Sequence, residues 1–145
     1  MNFLIRKATP EDFPAIFKLI KDFSVFQKTP DKLTITLQQM LENKDFFQCL
    51  VVENEGEIIG FASFFWAYYS WSGKALYLDD LYVEQTYRGH QIGTRLMEKL
   101  IDLANAEKCH KIRWQVSHWN SEAIEFYKKM GAQIDRTDIN CDLYL

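Results

Sequence analysis

The sequence predicts a single mixed α/β domain over residues 1–145, built on a mostly antiparallel sheet. Its length is about that of one domain. Hydrophobic residues make up 48% and charged residues 26%, with only six glycines and three prolines, which is a globular composition. Hydrophobic residues alternate with period two through the middle of the chain and then recur every three or four positions, so strands precede helices there.

The N-terminal segment predicts a strand followed by two helices. Residues Phe3–Arg6 form the strand pattern. Thr9 can cap a helix, Pro10 suits its first position, and Asp12 can close a capping box. Hydrophobic residues then recur at helical spacing at Phe13, Ile16, Phe17, Ile20 and Phe23. A second, shorter helix is predicted over Asp31–Glu42.

The central segment predicts an antiparallel meander of three strands. These are Phe47–Glu53, Ile58–Tyr69 and Lys74–Val83. The residues between them, Asn54–Glu57 and Trp71–Gly73, have the composition of turns.

The C-terminal third predicts alternating helices and strands. We expect a helix at Thr94–Glu107, a strand at Lys111–Val116, a helix at Ser121–Met130 capped by Asn120 or Ser121 and ended by Gly131, and last strands at Ile134 and Asp142–Leu145. The helical crossover would make Leu76–Val83 and Ile112–Val116 parallel neighbours. The sheet should then have about six to seven strands, flanked by about four helices.

Charge and cysteine content narrow the function classes. The net charge of −3 does not predict a nucleic-acid partner. Cys49, Cys109 and Cys141 are odd in number and widely spaced, which predicts reduced thiols in the cytoplasm rather than disulfides or zinc ligands. The histidines are not spaced as metal ligands either, so no metal is expected. The first residues lack a signal-peptide pattern and Ile58–Trp66 is too short to span a membrane, so no membrane association is expected.

The junction between a strand and a helix at Val83–Thr94 carries the strongest functional signal. A helix N-terminus offers unpaired N–H groups and a positive dipole end. Arg88 adds charge, while Gly89 and Gly93 allow close approach of a ligand to the backbone. These features suit a pyrophosphate, with an ordinary strand–helix turn as the alternative. The spacing matches neither a P-loop nor a dinucleotide-binding fingerprint.

Four segments together resemble a known enzyme family. Residues 87–93 (YRGHQIG) resemble the acetyl-CoA signature of the GCN5-related N-acetyltransferases, the GNAT family. Residues 5–12 (IRKATPED) are similar to that family's opening and residues 119–132 (WNSEAIEFYKKMGA) to the second half of its core. Residues 71–83 (WSGKALYLDDLYV) most resemble the diamine (spermidine/spermine) and thialysine N-acetyltransferases.

The resemblance implies a single-domain GNAT fold with two splayed parallel central strands, and acetyl-CoA as cosubstrate. Pantetheine would pair with strand backbone where the strands separate, and Asn120 would bind its amides. Gln91 stands where the family usually has Gly, so its side chain must point away from the phosphates. The implied cofactor-binding residues are Leu81, Tyr82, Val83, Arg88, Gly89, His90, Gln91, Ile92, Gly93, Thr94, Asn120, Tyr127 and Lys129.

The resemblance also implies direct attack of an amine on the thioester. An amine of pKa ~10.4 is mostly protonated at neutral pH, so a group must accept its proton. Relatives that act on polyamines have a Glu base where Asp79 stands, so Asp79 is the candidate base, directly or through water. Strand alternation predicts that Asp79 and Asp80 lie on opposite faces. Tyr127 is the candidate acid for the thiolate, and a backbone N–H near Val83 would hold the oxyanion.

Structural roles are the alternatives for these residues. A pair of aspartates in a strand can be a solvated edge, and a helix tyrosine such as Tyr127 can be half buried in a core.

The acceptor is expected to be a small primary amine, either diamine-like or an amino-acid side chain. Polyamine enzymes hold distal ammonium groups with carboxylates, and two such positions are Gln27 and Tyr69 here. Tyr69 and Trp66 could replace them in part by cation–π attraction. The candidate substrate-binding residues are Phe26, Gln27, Tyr69, Asp79 and Trp114.

Two other functions stay open. One is acetylation of a protein N-terminus or lysine, against which the bulky Phe26, Tyr69 and Trp71 argue because they would obstruct a peptide groove. The other is a non-catalytic acyl-CoA-binding module, which would have no need of Tyr127. The subfamily resemblance further implies a homodimer.

Overall fold

The computed structural model describes residues 2–145, in which an N-terminal strand meander is followed by alternating helices and a last strand. The chain divides into two compact units, a first that ends at Trp114 and a second that runs from Gln115 to Leu145. The elements are β1 (Phe3–Lys7), α1 (Phe13–Phe26), α2 (Leu37–Glu42), β2 (Gln48–Asn54), β3 (Glu57–Tyr69), β4 (Gly73–Val83), α3 (Ile92–Ala106), β5 (Lys111–Arg113) and α4 (Ser121–Lys129).

The five strands form one sheet in the order β1-β2-β3-β4-β5, and this confirms the mixed α/β class and the meander. Every pair is antiparallel except β4 and β5, which are parallel as predicted. That parallel pairing covers only three positions and ends with Tyr77 opposite Arg113. β4 continues to Val83, so its last six residues have no strand beside them on the β5 side.

The predicted strands near the C-terminus are not formed. Neither Ile134 nor Asp142–Leu145 is a strand, and β5 ends three residues before Val116, so the parallel pair lies at the sheet edge. Asp135 accepts hydrogen bonds from the N–H and the hydroxyl of Thr137, and such a local turn competes with a ladder. Leu143 keeps 87% of its surface exposed, so no hydrophobic burial stabilises a strand there.

Two helix starts also differ from the prediction. α2 begins at Leu37 rather than at Asp31, because Thr36 and Gln39 form a capping box. The Thr36 hydroxyl accepts from Gln39 N–H at 3.1 Å, and the Gln39 side chain accepts from Thr36 N–H at 2.9 Å. α3 begins at Ile92, two residues early, which brings Gly93 into its first turn.

Hydrophobic side chains anchor α1 and α3 to the sheet. α1 packs against β3 and α3 against β4. The core beneath α1 includes Ile16, Phe61 and Tyr82. α3 buries Leu96 and Leu100 completely. Burial of this kind contributes roughly 25 cal/mol per Å² of hydrophobic surface and holds the end of β4 in place.

The second unit contains α4, whose ends follow the predicted caps. Asn120, rather than Ser121, is the N-cap, because its side-chain oxygen accepts from Ala123 N–H at 3.2 Å. Gly131 ends the helix with a φ of +94°. Across residues 2–145, none of the helices combines the length and hydrophobicity that crossing a membrane requires.

Candidate active site

A β-bulge in β4 places an extra residue at Asp79. Asp80 lies opposite Ser63, and Leu78 lies opposite Phe64, so Asp79 has no partner of its own on β3. A bulge breaks the regular alternation of side chains and re-aims them locally. The expectation that Asp79 and Asp80 lie on opposite faces assumed an unbroken ladder, which the bulge interrupts at this point, so it stays a prediction.

The two aspartates at the bulge have unusual electrostatics. Burial raises the pKa of Asp79, although this side chain still reaches solvent. Burial, and then the charge of Asp79, raise the pKa of Asp80 to about 7. Within residues 2–145 neither carboxylate takes part in an ion pair. A carboxylate of raised pKa that lacks a cationic partner can accept a proton near neutral pH.

Beyond the bulge, β4 presents polar backbone groups away from β3. The Glu84 N–H donates to the Ile59 carbonyl at 2.9 Å, and the alternation of an antiparallel ladder then turns the N–H groups of Leu81 and Val83 to the other side. No strand of the sheet pairs with β4 on that side past Tyr77. This open edge can bind an extended ligand through backbone hydrogen bonds.

The loop after β4 connects this open edge to the N-terminus of α3. Gly89 has a φ of +86° and Gln91 a φ of +62°, so the chain turns sharply twice before the helix. The Gln91 carbonyl accepts from Arg95 N–H at 3.1 Å as the first helical bond. The N–H groups of Ile92, Gly93 and Thr94 have no acceptor within the helix, an arrangement that can bind an anion.

Arg88 is held at the end of β4 by three contacts. Its Nε donates to the Val83 carbonyl at 3.1 Å. Its guanidinium carbon lies 4.7 Å from the centre of the Phe26 ring and 5.5 Å from that of Tyr82. Phe26, a predicted substrate-binding residue, is thus placed under Arg88, and this cation is positioned beside the open edge of β4.

The side chains of Ile92, His90 and Tyr82, three other predicted residues, pack within the protein. Ile92 is buried, so only its N–H can face a ligand. The His90 ring packs on Phe3, with ring centres 5.9 Å apart. Tyr82 stacks on Phe23 at 5.1 Å. Gln27 ends α1, and its N–H donates to the Phe23 carbonyl.

The aromatic residues of β3 lie against cations of the protein itself. Lys111 Nζ lies 4.6 Å from the centre of the Tyr69 ring, and the Arg113 guanidinium carbon lies 4.9 Å from it. Lys74 Nζ lies 5.8 Å from the centre of the Trp66 ring. The rings that we expected to attract a substrate ammonium therefore already have cations over them. Sequence analysis missed Lys111 and Arg113, although their i, i+2 spacing on a strand was a usable signal.

Tyr127 and the other C-terminal candidates belong to the second unit. Tyr127 lies on α4, and burial raises the pKa of its hydroxyl, which therefore stays protonated at neutral pH. The Asn120 side-chain oxygen is occupied by the helix cap, which leaves its amide N–H groups as donors. Lys129 is exposed on α4. Trp114 is the half-buried last residue of the first unit.

Metal chemistry has no ready site in the described part of the chain. Residues 2–145 contain no group of three or more His, Cys, Asp or Glu side chains placed to hold a metal ion.

Comparison with known proteins gives consistent matches. Residues 13–132 match the family model "Acetyltransferase (GNAT) family". Thialysine N-epsilon-acetyltransferase of Bos taurus is 31% identical over 142 residues, which cover 90% of this chain and 84% of that protein. D-amino-acid N-acetyltransferase HPA3 of Saccharomyces cerevisiae is 28% identical, with 93% and 88% covered.

A solved structure shares the fold. The aminoglycoside acetyltransferase HMB0005 from an uncultured soil metagenomic sample superposes with a TM-score of 0.80. The match covers 99% of this chain and 100% of that one, at 20% identity.

Proposed function

Because this chain belongs to the GNAT acetyltransferase family, which confirms the resemblance seen in its sequence, we propose that it transfers acetyl from acetyl-CoA to a primary amine of a small molecule. The observation that carries the proposal is the open edge of β4, which runs from the carboxylates of the bulge to the N-terminus of α3. The two relatives named for thialysine and D-amino acids act on small amines, which supports this choice of acceptor.

The residues present fit acetyl-CoA. The N–H groups of Ile92, Gly93 and Thr94 suit the pyrophosphate, and Arg88 adds a fixed positive charge nearby. The backbone of Leu81 suits an amide of pantetheine, and the Val83 N–H is left for the acetyl end of the ligand. Asn120 and Lys129 of the second unit are further candidates for contacts with pantetheine and phosphate. In this proposal Gln91 contributes through its backbone, because its left-handed conformation substitutes for the usual glycine.

In the proposed reaction Asp79 accepts a proton from the acceptor ammonium, directly or through one water. The neutral nitrogen then forms a bond to the carbonyl carbon of the thioester, and the carbon–sulfur bond breaks. The Val83 N–H donates to the oxygen that becomes negative during this attack. Tyr127 gives its hydroxyl proton to the departing sulfur, and the resulting phenolate takes back the second proton of the attacking nitrogen, directly or through water. The products are then a neutral acetamide and CoA thiol, and Asp79 releases the first proton to solvent.

The proposal extends to the state of the protein in the cell. We place residues 1–145 in one catalytic domain that acts as a cytoplasmic homodimer, as the resemblance to the diamine and thialysine enzymes implies. Neither a metal ion, a nucleic acid nor a membrane takes part in it.

Release of CoA thiol tests the proposal directly. Acetyl-CoA would be offered with putrescine, spermidine, lysine, thialysine, an aminoglycoside and a short lysine peptide. We expect turnover of a small amine, and loss of roughly 10²- to 10⁴-fold in kcat in Tyr127→Phe with acetyl-CoA affinity retained. Tyr144→Phe is the matched control, since that tyrosine is 89% exposed in the same unit.

Other outcomes would contradict it in distinct ways. Acetyl-CoA binding without turnover of any amine would favour a non-catalytic acyl-CoA-binding module. Turnover of the peptide alone would favour a protein acetyltransferase. Full activity of Tyr127→Phe would remove this residue from the mechanism.

A further inference from the structure

Two cations on β5 share one aromatic residue of β3. Lys111 and Arg113 are two positions apart, so strand alternation places both on the same face of the sheet. Both lie over the Tyr69 ring, at 4.6 and 4.9 Å from its centre. Arg113 pairs with Tyr77 of β4, and the Tyr77 ring stacks on Phe65 with centres 4.8 Å apart. The result is a cationic patch on an aromatic floor.

This patch, defined here by Lys111, Arg113 and Tyr69, lies close to the candidate base. Tyr77 is only two residues before Asp79 on β4. Burial is the main cause that raises the pKa of the Tyr77 hydroxyl; the negative charge of Asp79 raises it further and the positive charge of Arg113 lowers it, so both charges act on one ring. Two residues of strand and one interstrand step separate the Asp79 and Arg113 backbones by roughly 8 Å.

The cations of the patch retain their capacity to bind an anion. In residues 2–145 neither Lys111 nor Arg113 forms an ion pair with a carboxylate. Contact with the face of an aromatic ring holds a guanidinium in place and leaves its N–H edge for hydrogen bonds. That edge matches the geometry of a carboxylate. Lys74, in contrast, donates to the Glu107 carboxylate at 2.6 Å.

We propose that Lys111 and Arg113 bind a carboxylate of the acceptor, so that the acceptor is an amino acid whose side-chain amine reaches Asp79. This inference rests on the proposed function, since it names the acceptor of the same site. A diamine or polyamine would bring a second ammonium group to this patch and would be repelled by its like charge. The patch therefore disfavours diamines and polyamines, which a site lined only by carboxylates would favour.

Amino acids and their decarboxylated counterparts test the inference. Lysine and cadaverine carry the same amine on the same carbon chain, as do ornithine and putrescine, and only the amino acids carry a carboxylate. We expect a higher kcat/KM for the amino acid of at least one pair. In Lys111→Gln/Arg113→Gln we expect KM for that amino acid to rise roughly 10- to 100-fold, while kcat stays within a few-fold and the matched diamine is used at least as well.

Lys74→Gln is the control variant, because it also removes a cation that lies over a β3 ring. We expect it to leave the preference for the amino acid unchanged. Thermal unfolding of each variant verifies that the sheet is intact. A Lys111→Arg variant should retain the preference, because it conserves the charge.

Calorimetric binding of lysine and cadaverine to the intact protein separates failure of this inference from failure of the proposed function. Selective binding of lysine that is lost in the double variant would support the carboxylate site even without turnover. Equal use of lysine and cadaverine, or equal effects of the double variant on both, would overturn the inference while the acetyltransferase function stands. Absence of both turnover and selective binding would overturn both proposals.

Discussion

Asp12 and Asp80 have the same side chain in opposite surroundings. The Arg6 guanidinium donates two hydrogen bonds of 2.8 Å to the Asp12 carboxylate, and the Thr9 N–H donates a third of 2.8 Å. The hydrogen bonds from Arg6 are the main cause that lowers the Asp12 pKa to about 2. At the bulge, burial and then the charge of Asp79 raise the Asp80 pKa to about 7.

The difference separates a carboxylate whose charge the fold stabilises from carboxylates whose charge the fold disfavours. At the turn into α1, the donors stabilise a charged carboxylate, and this corner joins β1 to the helix. At the β4 bulge, the surroundings disfavour charge, raise the pKa of both carboxyl groups and bring that of Asp80 to about 7. A sequence that retains such unfavourable groups at one place commonly does so for function.

Replacement of Asp79 should have the largest effect, and it should lower activity without lowering stability. In Asp79→Asn we expect kcat to fall roughly 10²- to 10⁴-fold, because the amide cannot accept a proton. Thermal stability should be equal or higher, because a desolvated carboxylate is removed. Steady-state kinetics and thermal unfolding of the same sample measure both. A loss of stability that parallels the loss of activity would mean that Asp79 is a structural residue.

Replacement of Asp12 should give the converse result. Asp12→Asn removes the charge-assisted bonds from Arg6 and weakens the cap, so we expect a loss of about 1–3 kcal/mol in the free energy of unfolding. The wild-type advantage should be complete above the unfolded pKa of 3.8 and should vanish as pH falls to about 2. Denaturant unfolding at several pH values measures this. Normal kcat in the folded variant is the expected control result.

Asp80→Asn should raise the stability of the protein, whereas Asp12→Asn lowers it. The effect of Asp80→Asn should appear as pH rises from 3.8 to about 7. The folded protein keeps the Asp80 proton up to about pH 7, whereas the unfolded chain loses it near 3.8. Wild type should therefore lose stability relative to the variant as pH rises between those values. We expect Asp80→Asn to be more stable by about 1–2 kcal/mol at pH 8, since partial solvent contact moderates the full effect, and equal to wild type at pH 3. A variant that is less stable at pH 8 would contradict the assigned direction.

The smallest effect concerns the loop between β4 and α3. Gln91 adopts a left-handed backbone, so Gln91→Gly should stabilise the fold by about 0.5–1 kcal/mol. Lys108→Gly, at a φ of +56° outside the site, is the matched control and should give a similar gain. If Gln91 acts only through its backbone, neither change should weaken acetyl-CoA binding, as measured by calorimetry. Weaker binding in Gln91→Gly alone would indicate a role for the glutamine side chain.

Local pattern was sufficient to predict most elements of this protein. The Thr9–Asp12 cap, the β2–β3–β4 meander and the four helices depend on residues close together in sequence, so periodicity and capping chemistry predicted them. The junction at Val83–Thr94 was predicted equally well, because glycines and a helix start identify a sharp turn from local sequence. Family membership followed from the same short motifs.

Only the tertiary structure decided how the strands register and where they stop. The extra residue at Asp79 exists only relative to Ser63 and Phe64 of another strand, so alternation along β4 could not predict it. The end of β5 at Arg113 likewise depends on pairing across the sheet. The cations over Tyr69 come from residues more than 40 positions away in sequence. Sequence patterns encode local geometry, whereas these features arise from contacts between distant segments, and they determine where charged side chains lie on the sheet.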